Sequence, residues 1–400
     1  MLIKAKRIVT LVLIFIFTCT IFPGTSSAKN SDSVTVEQAK RNIIFQIIWD
    51  MKSNEKCPWR GKIVKLANPI EVYDKTDSLY SYIFNLTVDG QPAGFIETSA
   101  DKDEYPILTF SYAGSDMNES QITELKKDPN TKAVSEKVVL ITPGYHGIKQ
   151  DLADGSARIH TESDVIEISK NNNHPDKKKN LPINNDARKF RDTIDILVGD
   201  IGLDNDGVTD NLSFETGVGS AGGIAFVPDL NQITSSLWTG YSGCSPTSAA
   251  NIMLWWSSRY PQLTNGLSNE QLLLGLRQAM GTNNSGQTNV NNISPGMKSF
   301  ARNQRFFNAD ARYVNATWVD YKNSLSRGPN VVSFLNQTYY GTHSVTGVGW
   351  YEFFYNGSSL GHQYMTVHDN RAGTPAECYI AFGSNYQGLY IDEFSPMGFF

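Results

Sequence analysis

The stretch with the clearest chemical potential is Tyr241-Ser242-Gly243-Cys244-Ser245-Pro246-Thr247-Ser248-Ala249-Ala250-Asn251-Ile252-Met253-Leu254-Trp255-Trp256. A Ser-Gly turn delivers Cys244 to the start of an apolar segment. Pro246 fits the first helical turn, where its missing N–H costs nothing. Ala249, Ile252, Met253 and Trp256 recur at helical spacing, and Ala250, Leu254 and Trp255 make the other side apolar too. A helix apolar on most of its surface is central and buried. Backbone N–H groups and the positive end of the helix dipole converge on its first residue, which suits a thiolate nucleophile. A buried structural cysteine is the competing reading.

A thiol nucleophile needs a base, and the base needs a group to orient it. His343, in Gly341-Thr342-His343-Ser344-Val345-Thr346-Gly347-Val348-Gly349-Trp350, opens an apolar strand with glycines that permit close backbone approach. Asp369 ends the next strand, Tyr364-Met365-Thr366-Val367-His368-Asp369-Asn370. Antiparallel pairing through the Asn356-Gly357 turn would bring His343 and Asp369 together, with Asn370 as the competing orienter. Strand alternation points His368 to the opposite face, and His362 falls in a Gly-containing hairpin. His160 and His174 lie in polar surroundings and read as surface residues.

GCSPTSAANI, HSVTGVGW and YMTVHDN, with VPDLNQ upstream, resemble the papain-like cysteine peptidases of the double-glycine-leader (bacteriocin-processing) type and their secreted relatives. The resemblance covers about residues 222–400. It implies a papain-like α+β domain in which Cys244 is the nucleophile, His343 the general base and acid, Asp369 the orienter and Gln232 the oxyanion donor, without metal or cofactor. Three features depart from the family. Ser245 stands where it has glycine, the His343-to-Asp369 interval is long, and Gln232 lies twelve residues before Cys244. A loop through Ser235-Ser236-Leu237-Trp238-Thr239-Gly240 would have to fold back.

The elements that must hold these residues follow from the rest of the chain. The 400 residues suggest two or three domains. The net charge of −5 comes from mixed signs without a basic patch, which argues against nucleic acid as a main partner. Lys4, Lys6 and Arg7 precede an apolar run over residues 8–22, then Pro23-Gly24 and Ser26-Ser27-Ala28. This reads as a signal peptide cleaved after Ala28, hence a secreted protein with no membrane partner afterwards. Cys57, Cys244 and Cys378 then remain, an odd number that leaves at least one thiol free. Spacing alone does not decide whether Cys57 and Cys378 pair.

Residues 34–53 read as an amphipathic helix with a Thr35/Gln38 capping box. Strands follow over 71–74, 79–88, 94–100 and 106–112, with a turn at Asp89-Gly90. This helix-then-meander order resembles the inhibitory propeptides of streptopain-like cysteine proteases, on Leu79-to-Leu86, GQPAGFI and PILTFS. The expected organisation is a signal peptide (1–28), a propeptide-like α+β domain (29–115), an intermediate region (116–221) and a peptidase domain (222–400). The intermediate region holds one expected strand, 138–141, and an exposed lysine-rich linker at about 170–190. The last region is neutral, with nine basic and nine acidic residues. Helices are expected over 270–280, 297–305 and 318–327, then strands over 330–335, 345–354, 364–368, 379–382 and 389–394, an α+β order.

The function this implies is a secreted cysteine peptidase acting on a protein or peptide. It would be made as a latent precursor, with its own N-terminal domain as a partner. The alternatives are an amidase or transpeptidase on cell-wall amide bonds, and a non-catalytic exported binding protein on the same fold.

Overall fold

A computed structural model of the chain describes residues 33–126, 133–162, 165–169, 185–198, 207–209, 218–337, 341–355, 358–383 and 388–398. The signal peptide, His174 and the Asn356-Gly357 turn lie outside them, as does the side chain of His362. The fold is α+β, with a large, mostly antiparallel sheet and, among the described residues, seven α-helices.

The chain opens with α1 (Val36–Ser53), β1 (Lys65–Leu66), β2 (Ile70–Tyr73), β3 (Leu79–Val88), β4 (Gln91–Ser99) and β5 (Ile107–Ser111). Thr35 and Gln38 form the reciprocal capping box at the start of α1. Asp89 and Gly90 both have positive φ, 52° and 77°, which is what a two-residue hairpin turn between right-twisted strands requires.

The intermediate region is more ordered than its polarity suggests. It supplies α2 (Glu119–Leu125), β6 (Ala133–Thr142), β7 (Tyr145–Leu152), β8 (Ala157–His160), β9 (Val165–Ile168), α3 (Asn185–Val198) and β10 (Val218–Gly223). β6 pairs in parallel with β2, so the β6–β9 meander extends the N-terminal sheet. The end of the expected linker is helical from Asn185, with Ala187 and Phe190 buried. His160 is also buried, hydrogen-bonded to the Gln150 amide oxygen at 2.9 Å. Its polar sequence neighbours concealed this; it lies on the face of β8 opposite Ile159, covered with the buried Gln150 of β7.

The C-terminal part runs α4 (Cys244–Ser257), α5 (Asn269–Met280), α6 (Ile293–Asn303), β11 (Asp310–Val314), α7 (Trp318–Leu325), β12 (Asn330–Gln337), β13 (Gly341–Tyr355), β14 (Ser358–His368), β15 (Cys378–Ala381) and β16 (Leu389–Ser395). Its strands lie in the order β11-β16-β12-β13-β14-β15, and β15 then pairs with β5. The two halves therefore share one sheet, with Tyr379 opposite Phe110 and the two rings stacked 4.5 Å apart.

They also share a core. α1 and α3 lie over a face that includes Tyr351, Phe353 and Tyr364 of β13 and β14. Trp49 packs edge-on against Phe353 at 4.9 Å, and the Tyr351 hydroxyl donates to the Asp50 carboxylate at 3.1 Å. A second core on the sheet gathers Trp318 and Tyr321 of α7 with Val332, Val345, Val367 and Ile391, and a third packs α4 against α5 and α6.

Candidate functional site

Cys244 is the first residue of α4, preceded by Gly243 at φ 88°. A Cβ at Gly243 would lie 2.4 Å from the Gly286 carbonyl oxygen, so only glycine lets the 283–289 loop close against the cysteine turn. Arg277 of α5 clamps that turn from beneath. Its guanidinium donates to the carbonyls of Tyr241 at 2.9 Å, Ser242 at 2.8 Å and Asn283 at 2.9 Å.

α4 is less uniformly apolar than its composition suggests. Ser245, Ser248 and Asn251, spaced by three, form a buried polar stripe toward β13. The Ser245 and Ser344 hydroxyls are 2.9 Å apart, tying the residue after the cysteine to the residue after the histidine. Asn251 donates to Thr346 and to the Asn370 side-chain oxygen, both at 3.1 Å. This gives Ser245, the departure from glycine, a physical role.

His343, on β13, and Cys244 line one cavity of about 1050 Å³ together with Gln232 and the 283–289 loop. The loop before Cys244 does fold back. Thr234 bridges Tyr241, and the Ser242 N–H donates to the Ile233 carbonyl at 2.8 Å, which returns Gln232 to the cysteine. The Gln232 N–H donates to the Asn370 carbonyl at 2.9 Å. Among the described residues, three free thiols differ sharply in setting. Cys57 and Cys378 are unpaired and buried, whereas Cys244 is partly accessible.

Asp369 lies just beyond the end of β14. β13 pairs with β14 as Thr346↔His368 and Gly347↔Val367. That ladder ends at Thr346↔His368, short of both His343 and Asp369. Asn370 has φ 64° and turns the chain there, donating its side-chain N–H to the Ser344 carbonyl at 3.1 Å and to the Ser248 hydroxyl at 2.7 Å. The buried Asp369 carboxylate is bound by Arg371 at 2.7 Å and by the Thr374 hydroxyl at 2.7 Å. Among the described hydrogen bonds it makes none to His343. His368 lies on a separate contact, its Nδ1 3.0 Å from the Pro228 carbonyl.

The sequence reading missed Tyr145 and Arg371. Tyr145, at the β6–β7 turn of the N-terminal half, lines the same cavity, its ring 6.1 Å from that of His343. Arg371 sits 4.0 Å over the Tyr145 ring and donates to the Gly144 carbonyl at 2.6 Å. Burial, and then the Arg371 charge, push the His343 pKa down to about 3, so its imidazole is neutral here. A tyrosine at a Pro-Gly turn with no chemical motif around it gave no signal in sequence.

The turn is anchored by His146, buried beside Tyr145. Its Nδ1 is 2.8 Å from Asp116 and its Nε2 3.4 Å from Glu97. Burial alone would lower its pKa, but the Asp116 and Glu97 charges outweigh that and raise it to about 10. A raised histidine pKa means the folded state binds the proton more tightly than the unfolded chain does. The contribution is complete below the ordinary value near 6.5 and is lost as pH climbs to about 10. We therefore expect protease sensitivity at the Pro143–Tyr145 turn to rise over that interval. In His146→Gln it should be high already at pH 6 and flat with pH. An identical profile in both proteins would remove the anchor.

Among the described residues, no group of three His, Cys, Asp or Glu side chains is gathered as for a metal ion. No protein-family profile and no curated protein matches the chain. Among solved structures, a fragment of prointerpain A from Prevotella intermedia aligns with 83% of this chain and 99% of its own, at 11% identity and a TM-score of 0.39. At that score the likeness carries no inference about fold or chemistry.

Proposed function

We propose that the chain is an exported cysteine peptidase held as a latent precursor. The observation that carries this is the convergence of Cys244, His343 and Gln232 on one cavity, with Tyr145 of the N-terminal half closing over His343. In the open form the Cys244 sulfur attacks a peptide carbonyl while His343 takes the thiol proton. The tetrahedral oxyanion forms beside the Cys244 N–H and the Gln232 amide. His343 then returns the proton to the leaving amine, and water releases the acyl group from Cys244 by the reverse sequence. Asp369, held by Arg371, keeps that cation in place while the precursor is closed. Asn370, bonded to the backbone next to His343, is the better placed positioning residue.

The test is alkylation with iodoacetamide followed by peptide mapping. Cys57 and Cys378 are the internal controls, because burial pushes the Cys57 thiol up to about 12 and the Cys378 thiol well above its ordinary value. Preferential labelling of Cys244 that depends on His343 supports the nucleophile. Labelling that His343→Ala leaves unchanged overturns the pair and favours the non-catalytic binding reading.

A further inference from the structure

A buried acid that the peptidase chemistry does not use lies in the joint between the two halves, where α1 packs on β13. Asp50, in the last turn of α1, is 0% exposed. Gln46, one turn earlier, donates its side-chain N–H to Oδ2 at 2.9 Å. Tyr351 of β13 reaches Oδ1 from the C-terminal half at 3.1 Å. Tyr112, just beyond β5, supplies a third donor and itself accepts from the Asn54 amide at 3.2 Å. Among the described residues, no lysine, arginine or histidine is bonded to Asp50. A buried carboxylate without a cation is costly, and taking up a proton relieves that cost.

The hydroxyls around Asp50 suit the neutral acid better than the anion. Ser53 donates to the Trp49 carbonyl at 2.8 Å, and its oxygen lies 3.2 Å from the Tyr351 hydroxyl. Tyr351 has a single proton to give. When Asp50 is an anion, Tyr351 donates to it, and the Ser53 and Tyr351 oxygens face each other with no proton between them. When Asp50 is neutral, its O–H donates to Tyr351, Tyr351 donates to Ser53, and Ser53 donates to Trp49. Each contact in the row then holds one proton. Burial pushes the Asp50 pKa up to about 7, although its three hydrogen-bond donors pull it down.

Among the described residues, no other group facing Asp50 changes charge near neutrality. Burial raises the pKa values of Tyr112, Tyr351, Tyr364 of β14 and Tyr379 of β15, and pushes the Cys57 thiol up to about 12. The charged groups of the other elements nearby are engaged elsewhere. Arg188 of α3 pairs with Asp103, Arg191 donates to the carbonyls of Asp101 and Glu104, and Asp195 meets Arg41. Lys189 and Asp192 of α3 are exposed. Glu97 of β4 takes Ser81 and His146, and Glu352 of β13 takes Lys322. On α1 itself, Lys52 makes no described ion pair with Asp50.

We propose that Asp50 is a proton-operated lock on the joint between the halves. Protonated, it completes the row from Tyr351 through Ser53 to Trp49 and holds α1 on β13; ionised, it loosens that joint. The folded chain holds this proton more tightly than the unfolded one. The lock's contribution is therefore complete below the ordinary value of 3.8 and lost as pH rises through about 7. A latent precursor built this way is tightest in acid and looser above neutrality. That consequence rests on the peptidase reading; the lock does not.

The experiment is hydrogen–deuterium exchange on the full chain carrying Cys244→Ala, which removes self-cleavage, from about pH 5 to about pH 9. Rates are corrected for the intrinsic pH dependence of amide exchange. Exchange in residues 46–53 and 349–354 is expected to rise about tenfold or more across the range, with its midpoint near 7. Asp50→Asn, whose amide donates to Tyr351 as the neutral acid does, should keep both segments protected throughout. Ser53→Ala leaves the Tyr351 proton no acceptor but Asp50, which favours the anion, so the midpoint should move to lower pH. Ser53 is the half-buried last residue of α1, so its variant keeps the test valid even if Asp50→Asn fails to fold. Three results would overturn the lock: corrected exchange that is flat with pH, a rise that Asp50→Asn retains, or a midpoint that Ser53→Ala leaves in place. Cys244 takes no part in this measurement, so failure of the peptidase reading leaves it untouched.

Discussion

Cys244→Ala and His343→Ala should each reduce peptide hydrolysis by the opened protein by about 10³-fold or more, and the double variant should be little worse than either. Residues that act as one unit are not additive, because removing the base leaves a poorly reactive thiol and removing the thiol leaves the base without a task. The comparison is made by active-site titration and single-turnover hydrolysis of a peptide library. If the two losses multiply, the residues do not work together and the Cys–His reading fails. The orienter separates more finely. Asn370 joins α4 to β13 through Ser248 and the Ser344 carbonyl, whereas Asp369 faces Arg371. Asn370→Ala is therefore expected to lower activity more than Asp369→Ala. The reverse order would return the role to Asp369.

Tyr145→Ala is expected to open the intact precursor. Tyr145 and Arg371 together seal His343, which is 5% exposed, and its pKa is driven down to about 3 by that burial and that cation. Removing the ring admits water beside His343 and takes away the cation's seat, so the histidine pKa should rise back toward its ordinary range near 6.5. The rate of Cys244 alkylation in the full chain should then increase by about tenfold or more, with the gain following the deprotonation of a group near neutrality. An unchanged rate and pH profile would show that the turn is not a plug. A cut in the lysine-rich segment is a weaker route to opening. Trp49, Asp50, Phe353 and Tyr351 hold the halves together across one core, and β5 and β15 share a ladder. The cleaved pieces are therefore expected to stay associated in gel filtration. A chain begun near Gly222 would expose Tyr351, Phe353 and Tyr364 and should aggregate.

Local chemistry determined much of this protein from sequence. The Thr35 cap, the Asp89-Gly90 turn, the strand over residues 79–88 and the Gly243-Cys244-Ser245-Pro246 helix start each depend on neighbours a few residues away, so they could be read directly. That Cys244 and His343 line one cavity was open to sequence reading because each sits at the end of an element whose type was evident. The tertiary structure decided what depends on register and on distant partners. The β13–β14 ladder ends at Thr346↔His368 and Asn370 then turns the chain at φ 64°, so what stands beside His343 depends on a turn that no spacing rule fixes. The intermediate region joined the sheet because β6 found β2, a parallel contact between residues 66 apart (Val72↔Val138) that leaves no local trace. The contact of Tyr145 with His343 likewise exists only once strands far apart in sequence lie side by side.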